Sequence, residues 1–281
     1  MTGVLVVVGV GGMGQAIARR LGSGERILLA DFNAAALEQT AEKLRGEGFD
    51  VTTQVVDVSS RPSVHELATK AASLGAVTRI AHTAGLSPVQ APTAAIIAVD
   101  LIGVAHVLEE FEQVVAPGGA AVVIASMGGH MVRPMPPEQE VALARTPAEH
   151  IGDLPFVAVD QFDNAGSAYS FAKRANAVRV RAASVGWGKK GARINSISPG
   201  VIATPMGLAE LESPTGGAMR VMIDGSAARR LGTPEDIATA AEFLLGPLSS
   251  FISGTDLLVD GGVIGALTTG QLDLGGITAA G

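Results

Sequence analysis

The chain has no cysteine in its 281 residues. That excludes a disulfide framework, a thiolate metal site and a thiol nucleophile, and it is compatible with a reducing interior. Basic residues are also scarce: 20 Lys and Arg stand against 27 Asp and Glu, for a formal net charge of -7. A surface that neutralises phosphates needs clustered lysine and arginine, and no such cluster occurs, so nucleic acid is not an expected partner. No metal site is expected either. No apolar run is long enough to span a bilayer, and Met1 leads straight into Val4-Leu5-Val6-Val7-Val8 without a basic leader, which points to a cytoplasmic protein with no membrane partner.

What is present is a large aliphatic content, enough to cover a wide sheet on both faces, with no internal repeat and no linker that divides residues 1–281. Residues 3–8 form a β-branched run of the kind buried on both sides of a parallel sheet. Gly9-Val10-Gly11-Gly12-Met13-Gly14 follows at once, and residues 15–21 continue with helical spacing. Strand, glycine turn and helix in this order aim backbone amides and a helix amino terminus at a pyrophosphate. A second strand, 26–31, ends in Asp31, 22 residues after Gly9 and next to Phe32. An acid there accepts hydrogen bonds from ribose hydroxyls and repels a 2′-phosphate, which favours NAD over NADP; capping of the helix 33–45 is a second reading of Asp31.

Further strands are expected at 51–56, ending at Asp57, at 77–82, and at 120–125 after a helix over 93–115. Ser126 stands where the strand 120–125 stops, at the sheet edge that faces the ligand crevice in an open parallel sheet. Residues 128–164 depart from the strand–helix rhythm and carry five prolines, with a short helix expected at 138–145. A segment this long is read here as a lid whose Met131, Met135, Leu154 and Phe156 contact an apolar substrate. The helix 166–187 and the strand 192–197 lead to the turn Pro199-Gly200-Val201-Ile202-Ala203-Thr204-Pro205 beside the same crevice. A second segment, about 206–228 and rich in Gly, Ser and Met, is expected to be a mobile substrate loop, and a helix 234–245 starts at the N-cap Thr233. The strand 256–259 runs into Asp260-Gly261-Gly262, and the tail from Gly265 either docks or stays mobile.

The chain's single tyrosine, Tyr169, precedes Lys173 by four residues, a spacing that puts both on one face of a helix. An ammonium about 4 Å from a phenol at an effective dielectric near 20 contributes roughly 4 kcal/mol, or about three pKa units, before desolvation is counted. The expectation is a phenol that exchanges protons near neutrality.

The ordered set of glycine turn, Asp31, Asp57-Val58, Ala84-Gly85, Ser126, Tyr169 with Lys173, the 199–204 turn and Asp260-Gly261-Gly262 resembles the short-chain dehydrogenase/reductase family over nearly the whole chain. The resemblance implies a Rossmann-type doubly wound parallel sheet of about seven strands with helices on both faces. It implies Tyr169 as acid/base, Lys173 on the nicotinamide ribose and Ser126 on the substrate oxygen. Cofactor contacts fall on Gly9, Gly11, Gly12, Met13, Gly14, Asp31, Phe32, Asp57, Val58, Ala84, Gly85, Tyr169, Lys173, Pro199, Gly200, Ile202 and Thr204.

Four departures stand out. The glycine loop is about one residue short, and His82-Thr83 replaces two asparagines, read as a changed structural hydrogen bond. Asp100 aligns with the fourth catalytic member, usually asparagine; a carboxylate near Lys173 stabilises the ammonium and partly offsets its pull on Tyr169, so a displaced pH optimum is expected. The insertion after Ser126 resembles the 3α-hydroxysteroid dehydrogenase/carbonyl reductase branch, a hint toward apolar alcohols or ketones. The implied activity is NAD-dependent interconversion of a secondary alcohol and a ketone by a homodimer or homotetramer. A redox-sensing regulator that uses NAD as a ligand is the alternative, and a sugar-nucleotide epimerase a third reading.

Overall fold

The computed structural model describes residues 3–214 and 216–274. Seven parallel strands form one sheet: β1 (Gly3–Val8), β2 (Arg26–Asp31), β3 (Asp50–Val55), β4 (Ala76–His82), β5 (Val115–Ile124), β6 (Arg193–Pro199) and β7 (Asp256–Val259). Their order is β3-β2-β1-β4-β5-β6-β7, so the winding reverses between β1 and β4 and opens a crevice at their carboxyl ends. Residues 275–281 of the Gly-rich tail lie outside the described residues.

The helices α1 (Gly12–Leu21), α2 (Ala34–Gly46), α3 (Arg61–Leu74), α4 (Thr93–Ile96) and α5 (Val104–Val114) precede Ser126, with a π-helical segment, Ile97–Gly103, between α4 and α5. After it come α6 (Gly128–Met131), α7 (Pro137–Arg145), α8 (Ala165–Lys189), α9 (Pro205–Glu212), α10 (Gly216–Gly225), α11 (Pro234–Leu245) and α12 (Val263–Thr268). No helix among the described residues is long and apolar enough to cross a membrane.

Alternation along the strands sends side chains to two separate cores. Val4, Val6 and Val8 pack with Val64 and Leu67 of α3, Phe111 of α5 and Trp187 of α8. Leu5 and Val7 face the other way, onto Ile17 of α1, Leu44 of α2 and Ile237 of α11. Both faces of the sheet are therefore covered, which is why β1 reads as an unbroken apolar run. At about 25 cal/mol per Å² of apolar surface removed from water, each fully buried Leu or Ile adds roughly 1.5–3 kcal/mol.

Three expectations need correction. The helix expected over 93–115 stops at Val114, and β5 begins at Val115. A register shift against β4 between Val77 and Arg79 absorbs Pro117-Gly118-Gly119, which the sequence reading took for a turn. Residues 206–228 hold two helices, α9 and α10, and they bury Leu211 and Met222 against Met127, Val201 and Val263.

The expected lid is the third. Residues 137–157 pack along α4, the π-helical segment and α8, with Leu143, Ile151 and Val157 buried beside Leu101, Ala172 and Ala175. Met135, Leu154 and Phe156 join that cluster, whereas Met131 is exposed. Arg179 fastens the segment by donating to the carbonyls of Leu143 (2.6 Å) and Thr146 (2.8 Å). Met135, Leu154 and Phe156, expected as substrate contacts, pack along the flank of α8 instead, and Met131 does neither.

Candidate active site

The glycine turn is set by close approach. Gly9 has φ +97, and a Cβ there would lie 2.5 Å from the Ala84 amide nitrogen. A Cβ on Gly14 would strike the Gly9 carbonyl, and one on Gly12 would meet Thr204 at 2.9 Å. Gly11, by contrast, has nothing within 4 Å of its missing Cβ. No side chain caps α1 and no acid stands in its first turn. An uncapped amino terminus behind an open glycine suits a pyrophosphate.

Asp31 accepts from the amide of Val10 (2.8 Å) and of Asn33 (2.8 Å), one bond per oxygen, so it ties β2 to the glycine turn. The capping role falls to Asn33, whose side chain accepts from Ala35 and Ala36. A carboxylate has about four acceptor positions, so Asp31 keeps capacity for two ribose hydroxyls. Phe32 beside it is 74% exposed. Asp57 accepts from the amide and hydroxyl of Ser59, and Val58 is buried against Gly103, leaving its backbone as the available part.

Thr83 explains one departure from the family pattern: its hydroxyl donates to the Gly9 carbonyl at 2.7 Å and binds the end of β4 to the turn. His82 is buried, and neither ring nitrogen has a hydrogen-bond partner among the described residues. Burial first, and Lys173 second, hold its pKa down to about 3, so the ring is neutral. It titrates far from neutrality, as a core group would.

Ser126 ends β5, while Tyr169 and Lys173 lie one turn apart on α8. The Ser126 hydroxyl hydrogen-bonds the phenol of Tyr169, and Lys173 Nζ is 5.3 Å from the ring centroid. The Lys173 ammonium also contacts Asp100 Oδ2 at 3.1 Å and donates to the Ile124 carbonyl at 3.5 Å. Asp100 reaches it because the wider π-helical turn carries it inward; the residue is fully buried, and its other oxygen accepts from the Leu86 amide at 2.8 Å. A Cβ on Gly85 would sit 3.2 Å from Lys173 Nζ, close enough to push the ammonium by a few tenths of an ångström.

These contacts reverse the expected acidity of the phenol. Burial raises the Tyr169 pKa; Lys173 and Ser126 pull it down, and the Asp100 and Glu210 carboxylates push it up again, for a net rise. Burial also opposes the charge on Lys173, but Asp100 and then Tyr169 outweigh it and hold the ammonium above its ordinary range. Burial likewise lifts the Asp100 carboxyl, against Lys173 and the Leu86 amide. The sequence predicts the Lys173 charge near the phenol and, through the resemblance, the offsetting carboxylate of Asp100; the fold adds that of Glu210.

A cleft of about 250 Å³ opens between these groups, lined by Met13, Ser126, Tyr169, Pro199, Gly200, Ile202 and Thr204 from the expected set. Pro88 and Val89 form one wall, and Met206, Glu210, Met219 and Met222 of α9 and α10 form the roof. From the 128–164 segment only Gly128 lines it. Thr204 spends its hydroxyl on the Gly207 amide as the N-cap of α9, leaving its backbone toward the cleft. The Met-rich 206–228 segment, expected as a substrate loop, supplies Met206, Met219 and Met222, whereas Glu210 was not singled out; Met206 and Glu210 are four apart, so a helical reading of 206–212 aligns them on one face.

An open parallel sheet with a bare glycine turn at its switch point, and a hydroxyl, phenol and ammonium together beyond its carboxyl edge, defines the class of nicotinamide-dependent oxidoreductases. The short chain dehydrogenase family model matches residues 3–137, and one described as enoyl-(acyl carrier protein) reductase matches residues 154–264. The chain is 41% identical to the short-chain dehydrogenase/reductase bsc3 of Alternaria brassicicola, over 94% of this chain and 96% of that protein. It is 30% identical to galactitol 2-dehydrogenase (L-tagatose-forming) of Cereibacter sphaeroides, over 91% and 92%. The crystal structure of a 3-alpha-hydroxysteroid dehydrogenase from Pseudomonas sp. B-0831 complexed with NADH has the same fold, with a TM-score of 0.76 at 23% identity over 96% of this chain and all of that one. The chain belongs to the short-chain dehydrogenase/reductase family.

Proposed function

We propose that this protein is an NAD-dependent oxidoreductase that interconverts a secondary alcohol and a ketone, with Tyr169 as the proton acceptor and donor. The observation that carries the reading is the convergence of Ser126 and Tyr169 on one cleft beside the switch point of the sheet, with the buried Lys173 ammonium 5.3 Å from the phenol ring. A bound nicotinamide cofactor would accept or return the hydride at the carbinol carbon.

The residues present fit such a group. The amides around Gly11, Gly12 and Met13 suit its pyrophosphate, Asp31 its adenosine ribose with Phe32 alongside, and Asp57 and Val58 its base. Lys173 retains a donor direction beyond Asp100 and Ile124 for the nicotinamide ribose, next to Ala84 and Gly85. Pro199, Gly200, Ile202 and Thr204 present backbone at the far end. The preference for NAD rests on Asp31 and on the lack of any basic residue from Gly9 to Gly14 or from Phe32 to Leu37, where a 2′-phosphate would need a cation.

In oxidation Tyr169 takes the hydroxyl proton of the alcohol, and in reduction it gives that proton back to the ketone oxygen. The Ser126 hydroxyl donates to the same oxygen as its charge develops, a contribution worth about 3 kcal/mol where comparable donors have been removed. Lys173 stabilises the phenolate, and Asp100 keeps Lys173 charged. We further propose that copies associate as a homodimer or homotetramer, since Leu248 and Phe251 stand 86% and 103% exposed within four residues of each other; light scattering tests this.

The activity is tested by following nicotinamide absorbance over a panel of secondary alcohols and ketones. The native protein is expected to turn some over with NAD(H), and Tyr169→Phe to lose at least about a hundredfold in kcat. Binding of NADH without turnover of any panel member would instead favour the dinucleotide-sensing alternative.

A further inference from the structure

The cleft holds little charge, and what it holds is negative. Among its lining residues Glu210, on α9, is the one Asp, Glu, Lys or Arg. Five of the chain's eight methionines, Met13, Met127, Met206, Met219 and Met222, surround it, with Pro88, Val89, Val201 and Ile202. These soft, unbranched side chains adapt to an apolar body of varied shape.

Glu210 is fixed in place. One of its oxygens accepts a short hydrogen bond from the hydroxyl of Ser87, which is completely buried and also receives the Val89 amide at 3.3 Å. The contact joins the roof helix to the opposite wall of the cleft, so the carboxylate is held at the substrate space.

The balance around it is particular to this chain. Lys173 is the cation that acts on Tyr169 at the cleft, but Asp100 at 3.1 Å already pairs with it. One positive and two negative charges leave the site with a net charge of -1, centred on Glu210. An uncompensated carboxylate in a mostly apolar cleft attracts a cation and repels an anion, and the overall charge of -7 draws cations toward the molecule in the same sense. No aromatic ring other than Tyr169 lines the cleft, so cation–π contacts offer little competing recognition.

We infer that the cleft selects an apolar ketone or alcohol carrying an ammonium group remote from the reacting carbon, and that Glu210 is the residue that selects it. This rests on the alcohol–ketone reading of the same cleft. Substrates bearing a carboxylate or phosphate are discriminated against by the same charge.

The test uses three cyclohexanones that carry, opposite the carbonyl, a methyl, a dimethylaminomethyl or a carboxylate group. Their affinities for the NADH-loaded protein are measured by calorimetry, independently of turnover. The ammonium ketone is expected to bind about tenfold tighter than the methyl compound and the carboxylate about tenfold weaker, ratios in keeping with a part-buried charge pair. Glu210→Gln keeps the shape and should bring all three within about threefold, whereas Ser87→Ala, which keeps the charge, should preserve the order. Equal affinities in the native protein, or an order unchanged in Glu210→Gln, overturns the inference. An order lost equally in Ser87→Ala also overturns it, because the selection would then come from roof placement. NADH consumption with the same ketones is scored separately: charge selection without any reduction refutes the redox reading alone, and reduction without charge selection refutes the inference alone.

Discussion

Asp100 carries the strongest consequence of any single residue outside the tyrosine–lysine pair. Its carboxylate, 3.1 Å from a buried ammonium, contributes about 5 kcal/mol of attraction at an effective dielectric near 20 and raises the phenol of Tyr169 in the same stroke. In the proposed reaction alcohol oxidation needs the Tyr169 phenolate, so its rate is expected to climb as pH rises through the Tyr169 pKa. Asp100→Asn removes one of the influences that lift that pKa. The rising limb of the oxidation profile should therefore move to lower pH, and superimposable profiles would refute the coupling. His82 supplies a second prediction. It stays neutral in the folded chain down to about 3 but takes a proton near 6.5 when unfolded, so the unfolded state binds more protons between those values. Stability is present above 6.5 and drains as pH falls toward 3, by about 1.4 kcal/mol per unit from this group. Urea titrations should show a shallower acid loss in His82→Leu than in the native chain, and equal slopes would remove His82 from the account.

The short helix α6 shows how one element positions another. It follows Ser126 directly and touches the backbone of α8, because a Cβ on Gly129 would lie 2.8 Å from the Arg174 amide nitrogen. On its other side His130 Nε2 stands 2.7 Å from Asp256 Oδ2, and that carboxylate also accepts from Ser196 at 2.5 Å and Ser198 at 2.8 Å. The segment that follows Ser126 is thus braced between α8 and the last two strands. His130→Ala should lower kcat about tenfold with a smaller change in KM, and His130→Gln, which still reaches a carboxylate, should recover most of the loss. A shift confined to KM would assign the contact to substrate binding. Element type followed local pattern well: Thr233 and the glycine turn were readable because caps and close approaches are short-range, whereas the cap of α2 is Asn33 and not Asp31. The insertion was misjudged because its apolar residues had two possible destinations, the cleft or the flank of α8, and only packing distinguishes them.

At the scale of the molecule, the glycine turn and Asp31 lie on one half of the sheet, and Ser126, Tyr169 and the 199–204 turn on the other. A ligand spanning both halves binds the folded state and has no counterpart site in the unfolded chain. NADH should accordingly raise the thermal midpoint with concentration, by about 2.7 kcal/mol of stabilisation at a hundredfold excess over Kd. NADPH should raise it less, since Asp31 opposes the 2′-phosphate. Equal shifts for the two would remove Asp31 as the discriminating group. The order of strands, the glycine turn, Asp31, Ser126 and the Tyr169–Lys173 pair were all determined by the sequence, because each depends on residues within a few positions or on one strand-to-helix step. The acidity of Tyr169, the partner of Lys173, the covering of α8 by residues 137–157 and the arrival of Glu210 over the cleft were decided by the tertiary structure. Burial and charge–charge distance set all four, and those quantities arise between segments 36 to 123 residues apart.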